Sequence, residues 1–319
     1  MDSNFSDHKI AIVIPYYNAS KQIIRVVSKI PDFIDSVIIV DDCGKEPLPE
    51  KEIEAILVDK NKFISLKNEV NLGVGGATMK GFQYAIDNNY EIVVKVDADD
   101  QMDLSYLPKL LTPLIQNKSS IAKGNRFKDL KALKAMPFVR KFGNLGISFL
   151  TKAATGYWHN FDPTNGFLAI KTAVLKEIDF SKVHNRYFFE TSLLAQFYFQ
   201  DAKIIDIPMP AIYGDEQSNM NVFKMLFIFS QNLTITFFKR IVKRYFLYDF
   251  NIGSVYLLIG IPLFLFGIIF GIQTWIIHSS NNTFTPTGTI MIITLSLILG
   301  FQLLLQAIQI DISNAPKSN

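Results

Sequence analysis

The sequence predicts an α/β domain with a mostly parallel central sheet, followed by an amphipathic juxtamembrane segment and two transmembrane helices. Up to about residue 210, short β-branched runs alternate with longer amphipathic stretches, which is typical of a parallel sheet covered by helices. From Phe250 to Ile310 the chain contains no Lys, Arg, Asp or Glu, a pattern typical of segments that lie in lipid. The expected boundaries are 1–215 for the domain, 216–250 for the juxtamembrane segment and 251–319 for a transmembrane hairpin with a short tail.

Apolar and amphipathic periodicities predict the elements of the domain in order. The predicted strands are Ile10 to Ile14, Ser36 to Val40, Phe63 to Leu66, Ile92 to Val96, Ser120 to Lys123 and Ile204 to Ile207. The predicted helices are Lys21 to Lys29, Gly75 to Asn88, Ser105 to Gln116, Arg140 to Thr155, Lys171 to Ile178 and Phe189 to Phe199. Because ligands of open α/β sheets bind beyond the carboxyl ends of the strands, polar residues at those ends are the first candidates for a site.

Composition excludes several classes of protein. The formal net charge is +3 among 319 residues, and the basic residues form no extended run, which argues against a nucleic-acid partner. The single cysteine, Cys43, excludes an intramolecular disulfide. The N-terminus lacks a basic region followed by a long apolar run, so it is not a signal peptide, and we expect the domain to stay in the cytoplasm.

The C-terminal third predicts how the chain meets a membrane. Within 216–250, apolar residues alternate with the basic residues Lys224, Lys239, Arg240, Lys243 and Arg244, as in a helix lying at a membrane surface; a solvated helix docked on the domain is the alternative. The apolar segments 252–277 and 288–310 each exceed the roughly 20 residues needed to span a bilayer. The basic cluster before the first span predicts a multi-pass protein of the inner (cytoplasmic) membrane with both termini in the cytoplasm. The hairpin serves as an anchor and is also a surface on which copies of the chain can associate.

An acidic motif, DADD, follows the fourth predicted strand. Asp97 and Asp99 are two residues apart, and on an extended strand such residues share a side. Mg²⁺ and Mn²⁺ take hard oxygen ligands and combine one or two carboxylates with phosphate oxygens, so the pair predicts a metal-bound diphosphate. A solvated acidic turn without a metal is the alternative.

Earlier strand ends deliver polar groups to the same edge of the sheet. The first strand leads to Pro15 and Asn18, and the second to Asp41 and Asp42, whose carboxylates can accept hydrogen bonds from a base or a ribose, or can cap the next turn. Three glycines, Gly73, Gly75 and Gly76, then precede a helix. Glycine permits positive φ and close approach of a ligand, and a helix N-terminus favours anions.

The ordered set of IVIPYYN, VDDCG, NLGVGGA, DADDQMD and KGNRF resembles the family 2 glycosyltransferases of GT-A fold, over about residues 9 to 215. The DADDQMD segment is similar to that of the polyprenyl-phosphate glycosyltransferase branch, which includes dolichyl-phosphate mannose synthases. The resemblance implies Mg²⁺ or Mn²⁺ on Asp97 and Asp99, and a catalytic role for Asp99. It also implies a nucleotide-sugar site formed by Pro15, Tyr17, Asn18, Asp41, Asp42, Asn71, Gly73, Gly76, Lys80, Asp97, Ala98 and Asp99.

Further residues are implied on the acceptor side. Arg126 and Arg140 are similar in position to arginines that contact the acceptor phosphate in the lipid-phosphate branch, and Asn144, four residues after Arg140, would share its helical face. The alternative is that both arginines are ordinary surface residues. Leu168 stands in DPTNGFLAI where that family usually has an arginine, which leaves the contacts there open. Glu190 stands where relatives carry an acidic residue facing the sugar, as a second catalytic candidate, or it pairs with Arg186 four residues earlier.

The function that follows is inverting transfer of a sugar from a UDP- or GDP-linked donor to a polyprenyl phosphate of the undecaprenyl or dolichyl type, at the cytoplasmic membrane face. Two alternatives stay open. The acceptor is a lipid-linked oligosaccharide in capsule, O-antigen or other cell-envelope assembly, in which case Glu190 is needed as a base. In the other alternative, the chain is a catalytically silent membrane scaffold of the same fold, against which the intact Asp97 and Asp99 argue.

Overall fold

The computed structural model describes residues 5–126, 138–160, 162, 165–210 and 222–316, with side chains for all of these except 138–145 and 222–226. The described residues form two compact units. The first comprises the residues up to Phe237 together with Pro316, and the second is Phe238–Ala315.

A seven-stranded sheet forms the centre of the first unit, with the strand order β3-β2-β1-β4-β6-β5-β7. The strands are β1 (Ile10–Tyr16), β2 (Ser36–Asp41), β3 (Phe63–Lys67), β4 (Ile92–Lys95), β5 (Ile121–Asn125), β6 (Leu168–Lys171) and β7 (Ile204–Pro208). Every adjacent pair is parallel except those of β6, which runs antiparallel to both β4 and β5. The mostly parallel sheet is therefore confirmed, and β6 is the strand that the sequence did not predict.

Helices cover both faces of this sheet. They are α1 (Ser20–Val27), α2 (Glu50–Ile56), α3 (Val74–Asp87), α4 (Leu107–Ile115), α5 (Phe138–Thr155), α6 (Thr172–Lys176) and α7 (Phe189–Tyr198). In β1, Ile10, Ile12 and Ile14 pack in one core with α1 and α4, while Ala11 and Val13 pack in another with α3 and α7. Because successive strand residues point to opposite faces, this alternation makes the sheet the middle of three layers.

The second unit is a helical hairpin preceded by a helix end. It contains the last turns of α8 (Val222–Val242), a π-helical segment at Lys243–Tyr248, α9 (Ile252–Ser280) and α10 (Thr287–Ser313). Small residues let α9 and α10 approach closely: a Cβ on Gly267 would lie 2.9 Å from Leu297 Cγ, and one on Gly300 would lie 2.6 Å from the Phe264 amide nitrogen. Both helices are long and apolar enough to cross a membrane.

The C-terminal third has exposed apolar side chains and a buried arginine. The large apolar side chains of the hairpin are mostly exposed, including Trp275 at 72% and Leu299 at 53%, which fits helices that face lipid better than helices of a soluble core. The placement of Arg240 in an exposed basic face was wrong. Its side chain is buried within the second unit, because it is paired with an acidic side chain of α10. Residues 216–221 of the predicted juxtamembrane segment lie outside the described residues.

Candidate active site

A cleft of about 440 Å³ opens at the carboxyl edge of the sheet, beyond the ends of β1, β2 and β4. Its walls come from five segments: the end of β1, the residue after β2, the loop before α3 with the first turn of that helix, the turn after β4 and the residues just before α7. The lining residues are Pro15, Tyr16, Tyr17, Asn18, Ala19, Asp42, Asn71, Gly73, Val74, Ala77, Asp97, Ala98, Asp99, Arg186 and Tyr187. This is the location where open α/β sheets bind their ligands.

The acidic turn after β4 forms the floor of this cleft. Strand β4 ends at Lys95, so Asp97 and Asp99 lie in a turn rather than on an extended strand, and the side-sharing argument from strand alternation was wrong. All three of Asp97, Ala98 and Asp99 nevertheless line the cleft. The turn is held in place by Asp99 Oδ1, which accepts a hydrogen bond from the Gln101 amide at 3.0 Å.

The fourth residue of the motif, Asp100, anchors the turn from behind. Asp100 has a positive φ of 62° and pairs with two cations of α1: Arg25 Nε at 3.0 Å and Lys29 Nζ at 2.6 Å. Burial raises the pKa of Asp100, but the hydrogen bonds and charges of Lys29 and Arg25 outweigh it and leave the pKa lowered. Asp100 therefore fixes the turn, which leaves Asp97 and Asp99 on the cleft wall.

A buried lysine, Lys95, lies beneath the same turn. Its Nζ donates hydrogen bonds to Asp97 Oδ1 at 2.6 Å and to Glu190 Oε1 at 3.3 Å, and its side chain is 1% exposed. Burial opposes the charged form, yet the two carboxylates outweigh burial and raise the pKa of Lys95. The predicted pairing of Glu190 with Arg186 was wrong, because α7 begins at Phe189 and Arg186 lies before it in the cleft wall.

Asp42 organises the glycine loop before α3. Its Oδ1 accepts hydrogen bonds from Asn68 Nδ2 at 2.7 Å and the Leu72 amide at 2.9 Å, and its Oδ2 accepts one from the Gly73 amide at 2.7 Å. Asp42 is 3% exposed and still contributes to the cleft lining. The loop conformation needs glycine at Gly73, where φ is 88°.

The amides of that loop bind the protein rather than an anion. The Gly75 and Gly76 N–H groups donate to the Asn185 carbonyl at 2.8 and 3.2 Å, and the Gly73 N–H donates to Asp42. The expectation that a ligand anion is met at this helix N-terminus was therefore wrong for these amides. They instead join α3 to the segment that carries Arg186 and Tyr187.

Three residues predicted for the nucleotide-sugar site lie outside the lining of the cleft. Asp41 Oδ1 accepts a hydrogen bond from the Gly44 amide at 3.3 Å, which is a turn-capping role. Gly76 packs against Leu72, where a Cβ would lie 2.5 Å from Leu72 Cβ. Lys80 Nζ donates to the Lys67 carbonyl. The other predicted nucleotide-sugar residues, Pro15, Tyr17, Asn18, Asp42, Asn71, Gly73, Asp97, Ala98 and Asp99, all line the cleft.

Arg126 is held by an acid of its own unit. Its Nε and Nη2 donate to the two carboxylate oxygens of Asp162 at 2.7 and 2.8 Å, and its amide donates to Asp162 Oδ2 at 3.0 Å. The side chain is 41% exposed, whereas that of Asp162 is fully buried. Arg126 can therefore meet an acceptor phosphate only by sharing or exchanging this partner. Arg140 and Asn144 belong to α5, and their side chains lie outside the described residues.

Two functional candidates were missed by the sequence analysis. Lys95 was hidden inside a strand pattern, although a lysine in a run of β-branched residues just before DADD was a usable signal. Arg186 was considered only as a partner of Glu190, yet it lines the cleft and its Nη2 lies 3.5 Å from Asn71 Oδ1. Arg186 is the one cation among the described lining residues, opposite three acids, and a guanidinium suits phosphate oxygens.

The donor set of the cleft fits a hard divalent cation. Asp97 and Asp99 both line the cleft, and Mg²⁺ and Mn²⁺ take carboxylate oxygens as ligands. Within the described ranges, no group of three or more His, Cys, Asp or Glu is placed to hold a metal. A cation here would therefore be completed by water and by phosphate oxygens of a substrate, which is the usual mode for Mg²⁺ with nucleotides.

Comparisons with known proteins show the family to which this chain is similar. Residues 11–179 match the model of glycosyl transferase family 2. A UDP-N-acetylglucosamine–dolichyl-phosphate N-acetylglucosaminyltransferase of Methanococcus voltae is 33% identical over 224 residues, covering 66% of this chain and 88% of that protein. An undecaprenyl-phosphate mannosyltransferase of Micrococcus luteus is 22% identical, covering 63% of this chain and 82% of that protein.

A solved structure gives the fold. Glucosyl-3-phosphoglycerate synthase from Mycobacterium tuberculosis, crystallised with Mn²⁺, UDP and glucosyl-3-phosphoglycerate, aligns with a TM-score of 0.52 over 73% of this chain and 80% of its own. The two sequences are 18% identical, so the likeness shows the architecture alone. That crystal structure contains Mn²⁺ and UDP together.

Proposed function

Because the chain belongs to glycosyl transferase family 2, we propose that it transfers one sugar from a nucleotide sugar to the phosphate of a polyprenyl phosphate at a membrane. The chain is a glycosyltransferase with the GT-A fold, as its sequence predicted. Two relatives are named for polyprenyl- or dolichyl-phosphate acceptors, which supports the acceptor class. UDP-N-acetylglucosamine is the first donor to test, because the Methanococcus voltae relative is named for it.

The observation that carries the proposal is the turn of Asp97, Ala98 and Asp99 on the cleft wall. In the reaction, the bond between the sugar C1 and the diphosphate oxygen breaks, and an oxygen of the acceptor phosphate forms the new bond to C1. Negative charge develops on the departing diphosphate. Asp97 and Asp99 would hold a divalent cation, which would supply positive charge to stabilise this leaving group. Arg186, which also lines the cleft, would add a guanidinium for the phosphate oxygens.

The acceptor requires little acid–base chemistry from the protein. A phosphate monoester is already ionised near neutral pH, so its oxygen attacks without a base. What it needs is orientation and neutralisation, and we propose that Arg126, which is 41% exposed, provides both after exchange with Asp162. The attack occurs on the face of the sugar opposite the leaving group, so an α-linked donor gives a β-linked product.

The apolar hairpin supports the proposal that this chemistry takes place at a lipid surface. Helices α9 and α10 supply two spans, and the basic residues Lys239, Lys243 and Arg244 precede the first of them. Basic residues flank the cytoplasmic ends of spans, so we place the domain and both termini in the cytoplasm. A polyprenyl phosphate keeps its chain in the bilayer and its phosphate at the same surface.

Glycolipid synthesis by the purified full-length chain tests the proposal. The protein is incubated with Mn²⁺, undecaprenyl or dolichyl phosphate and each of several UDP- and GDP-sugars, and lipid products are separated and identified by mass spectrometry. We expect a monoglycosyl lipid with one donor, lost with a metal chelator and in Asp99→Asn. The unphosphorylated polyprenol, as a matched acceptor, should give no product. Absence of glycolipid with every donor, from protein that binds a nucleotide in the presence of Mn²⁺, would refute the acceptor class.

A further inference from the structure

The most deeply buried charge at the cleft is that of Lys95. It is the last residue of β4, its residue exposure is 0%, and it lies outside the cleft lining. Burial of an ammonium group is costly unless it is paired and hydrogen-bonded. Here the partners are two carboxylates from different elements, Asp97 of the acidic turn and Glu190 of α7.

Packing around this ion cluster is tight on the side of Gly166. A Cβ added to Gly166 would collide with Lys95 Nζ, and it would lie 2.9 Å from Asp97 Oδ2 and 3.4 Å from Glu190 Oε1. Gly166 is itself fixed by its neighbours, since Asn165 Oδ1 accepts a hydrogen bond from the Phe167 amide at 3.0 Å. Because Gly166 has no side chain, the charged groups of Lys95, Asp97 and Glu190 can lie close together beside it.

The contact with Lys95 occupies one of the two carboxylate oxygens of Asp97. Oδ1 is bound to the ammonium at 2.6 Å, while Oδ2 is directed toward Gly166, and the side chain remains 29% exposed. Glu190 is 16% exposed and is bound through Oε1 to the same nitrogen. The orientations of the Asp97 and Glu190 carboxylates therefore both depend on the ammonium group of Lys95.

We propose that Lys95 is a positioning residue of the transferase. It orients the Asp97 carboxylate toward the metal-bound diphosphate and holds the Glu190 carboxylate next to that of Asp97. This inference rests on the proposed function for its view of Asp97 as a metal ligand. Hydrogen-bonding partners of metal ligands commonly set ligand orientation, and their loss lowers metal affinity or activity by about 10- to 100-fold. Without the ammonium, Asp97 and Glu190 repel each other and rotate into the cleft, where water can solvate them.

The key variant is Lys95→Met, which keeps the volume and removes the charge. Its matched control is Lys123→Met on β5. Lys123 is 1% exposed, donates to the Asp162 carbonyl at 2.6 Å and pairs with Asp206 at 3.6 Å, whereas Asp97 and Glu190 are bound by Lys95. Gly166→Ala is the second route to the same defect, because it keeps every charge and displaces Lys95 Nζ. The double variant Lys95→Met/Glu190→Gln removes the repulsion between the two carboxylates.

Two readouts separate positioning from packing. The first is the Mn²⁺ concentration that gives half of the UDP-dependent thermal shift, which needs no acceptor and no turnover. The second is kcat against KM for the acceptor in glycolipid synthesis. For Lys95→Met and Gly166→Ala we expect the Mn²⁺ midpoint to rise and kcat to fall, each by about 10- to 100-fold, with acceptor KM little changed. Lys123→Met should lower the melting temperature and keep the Mn²⁺ midpoint of the wild type.

The inference is overturned if Lys95→Met lowers the melting temperature as Lys123→Met does and leaves the Mn²⁺ midpoint unchanged or lower. It is also overturned if the fold-loss of activity in Lys95→Met/Glu190→Gln equals the product of the fold-losses in the two single variants. Residues that act through one contact show non-additive effects. Should the wild type bind UDP with Mn²⁺ but form no glycolipid, the proposed acceptor fails while the thermal-shift comparison still decides the role of Lys95.

Discussion

Arg240 and Asp311 form a buried, two-pronged ion pair in the hairpin unit. Arg240 Nη1 and Nη2 each donate to one oxygen of Asp311 at 2.8 Å, and the side chains are 0% and 5% exposed. The Tyr245 hydroxyl adds a hydrogen bond to Asp311 Oδ1 at 3.0 Å. The pair joins the end of α8 to the end of α10, so the residues entering the first span and leaving the second are held together.

Removal of one partner should destabilise this unit. Arg240→Met leaves a buried carboxylate without its guanidinium, which costs about 3–5 kcal/mol, whereas the double variant Arg240→Met/Asp311→Leu should recover most of the loss. Thermal unfolding of detergent-solubilised protein measures both. The nearby Lys243→Met serves as a single-charge control. Equal melting temperatures for the wild type and Arg240→Met would mean that the pair does not stabilise the hairpin.

Substitution of Gly75 by alanine should lower stability and raise the donor KM. A Cβ there would lie 2.5 Å from the His184 carbonyl oxygen, so Gly75→Ala must push α3 away from the segment bearing Arg186 and Tyr187. We expect a stability loss of about 1–3 kcal/mol, the usual effect of overpacking, and a higher donor KM. Donor titration of glycolipid synthesis and thermal unfolding measure these effects.

Gly146 offers the matched control for that substitution. It lies in α5, and a Cβ there meets no described atom within 4 Å. Alanine replaces glycine favourably in a helix, so Gly146→Ala should raise stability by up to about 1 kcal/mol and leave donor KM unchanged. A donor KM for Gly75→Ala equal to that of Gly146→Ala would contradict the role assigned to Gly75.

The fold was predictable from sequence because its signals are local. Runs of β-branched residues set the parallel strands, and long uncharged runs set the two apolar helices. Strand β6 was missed because Leu168–Lys171 is defined by its antiparallel partners β4 and β5 rather than by its own residue pattern. The placement of Arg240 also depended on a partner, Asp311, which is 71 residues away.

The site was predictable in its residues and less so in its geometry. Asp97 and Asp99 were found from an ordered set of motifs, and both line the cleft. Their turn, however, is shaped by Asp100 pairing with Arg25 and Lys29, contacts across more than 70 residues that spacing does not encode. The role of Lys95 was likewise not predictable from the sequence, because it depends on contacts with Asp97 and Glu190.

Asp162 should make the domain sensitive to acid. Burial raises the pKa of Asp162, but hydrogen bonds and charge from Arg126, with Lys123, outweigh burial and leave the pKa lowered in the folded state. A lowered folded pKa means that this stabilisation is complete above the unfolded value of about 3.9 and is lost as pH falls through the folded value. Melting temperature measured from pH 7 downward should therefore decline less steeply in Asp162→Asn, which starts from a lower value. Parallel curves for the two proteins would show that Asp162 does not contribute to the acid sensitivity.

Glu190→Gln distinguishes the two kinds of acceptor. If the acceptor is a phosphate, no base is needed, and the variant keeps the side-chain shape while weakening only its ion pair with Lys95 at 3.3 Å. We then expect kcat to fall by less than about 10-fold, whereas loss of a general base lowers it by about 10²- to 10⁴-fold. Single-turnover synthesis on undecaprenyl phosphate measures the difference, with Asp99→Asn as the control that should abolish transfer. A collapse of kcat in Glu190→Gln as severe as in Asp99→Asn, at unchanged Mn²⁺ midpoint, would favour a sugar hydroxyl as the acceptor.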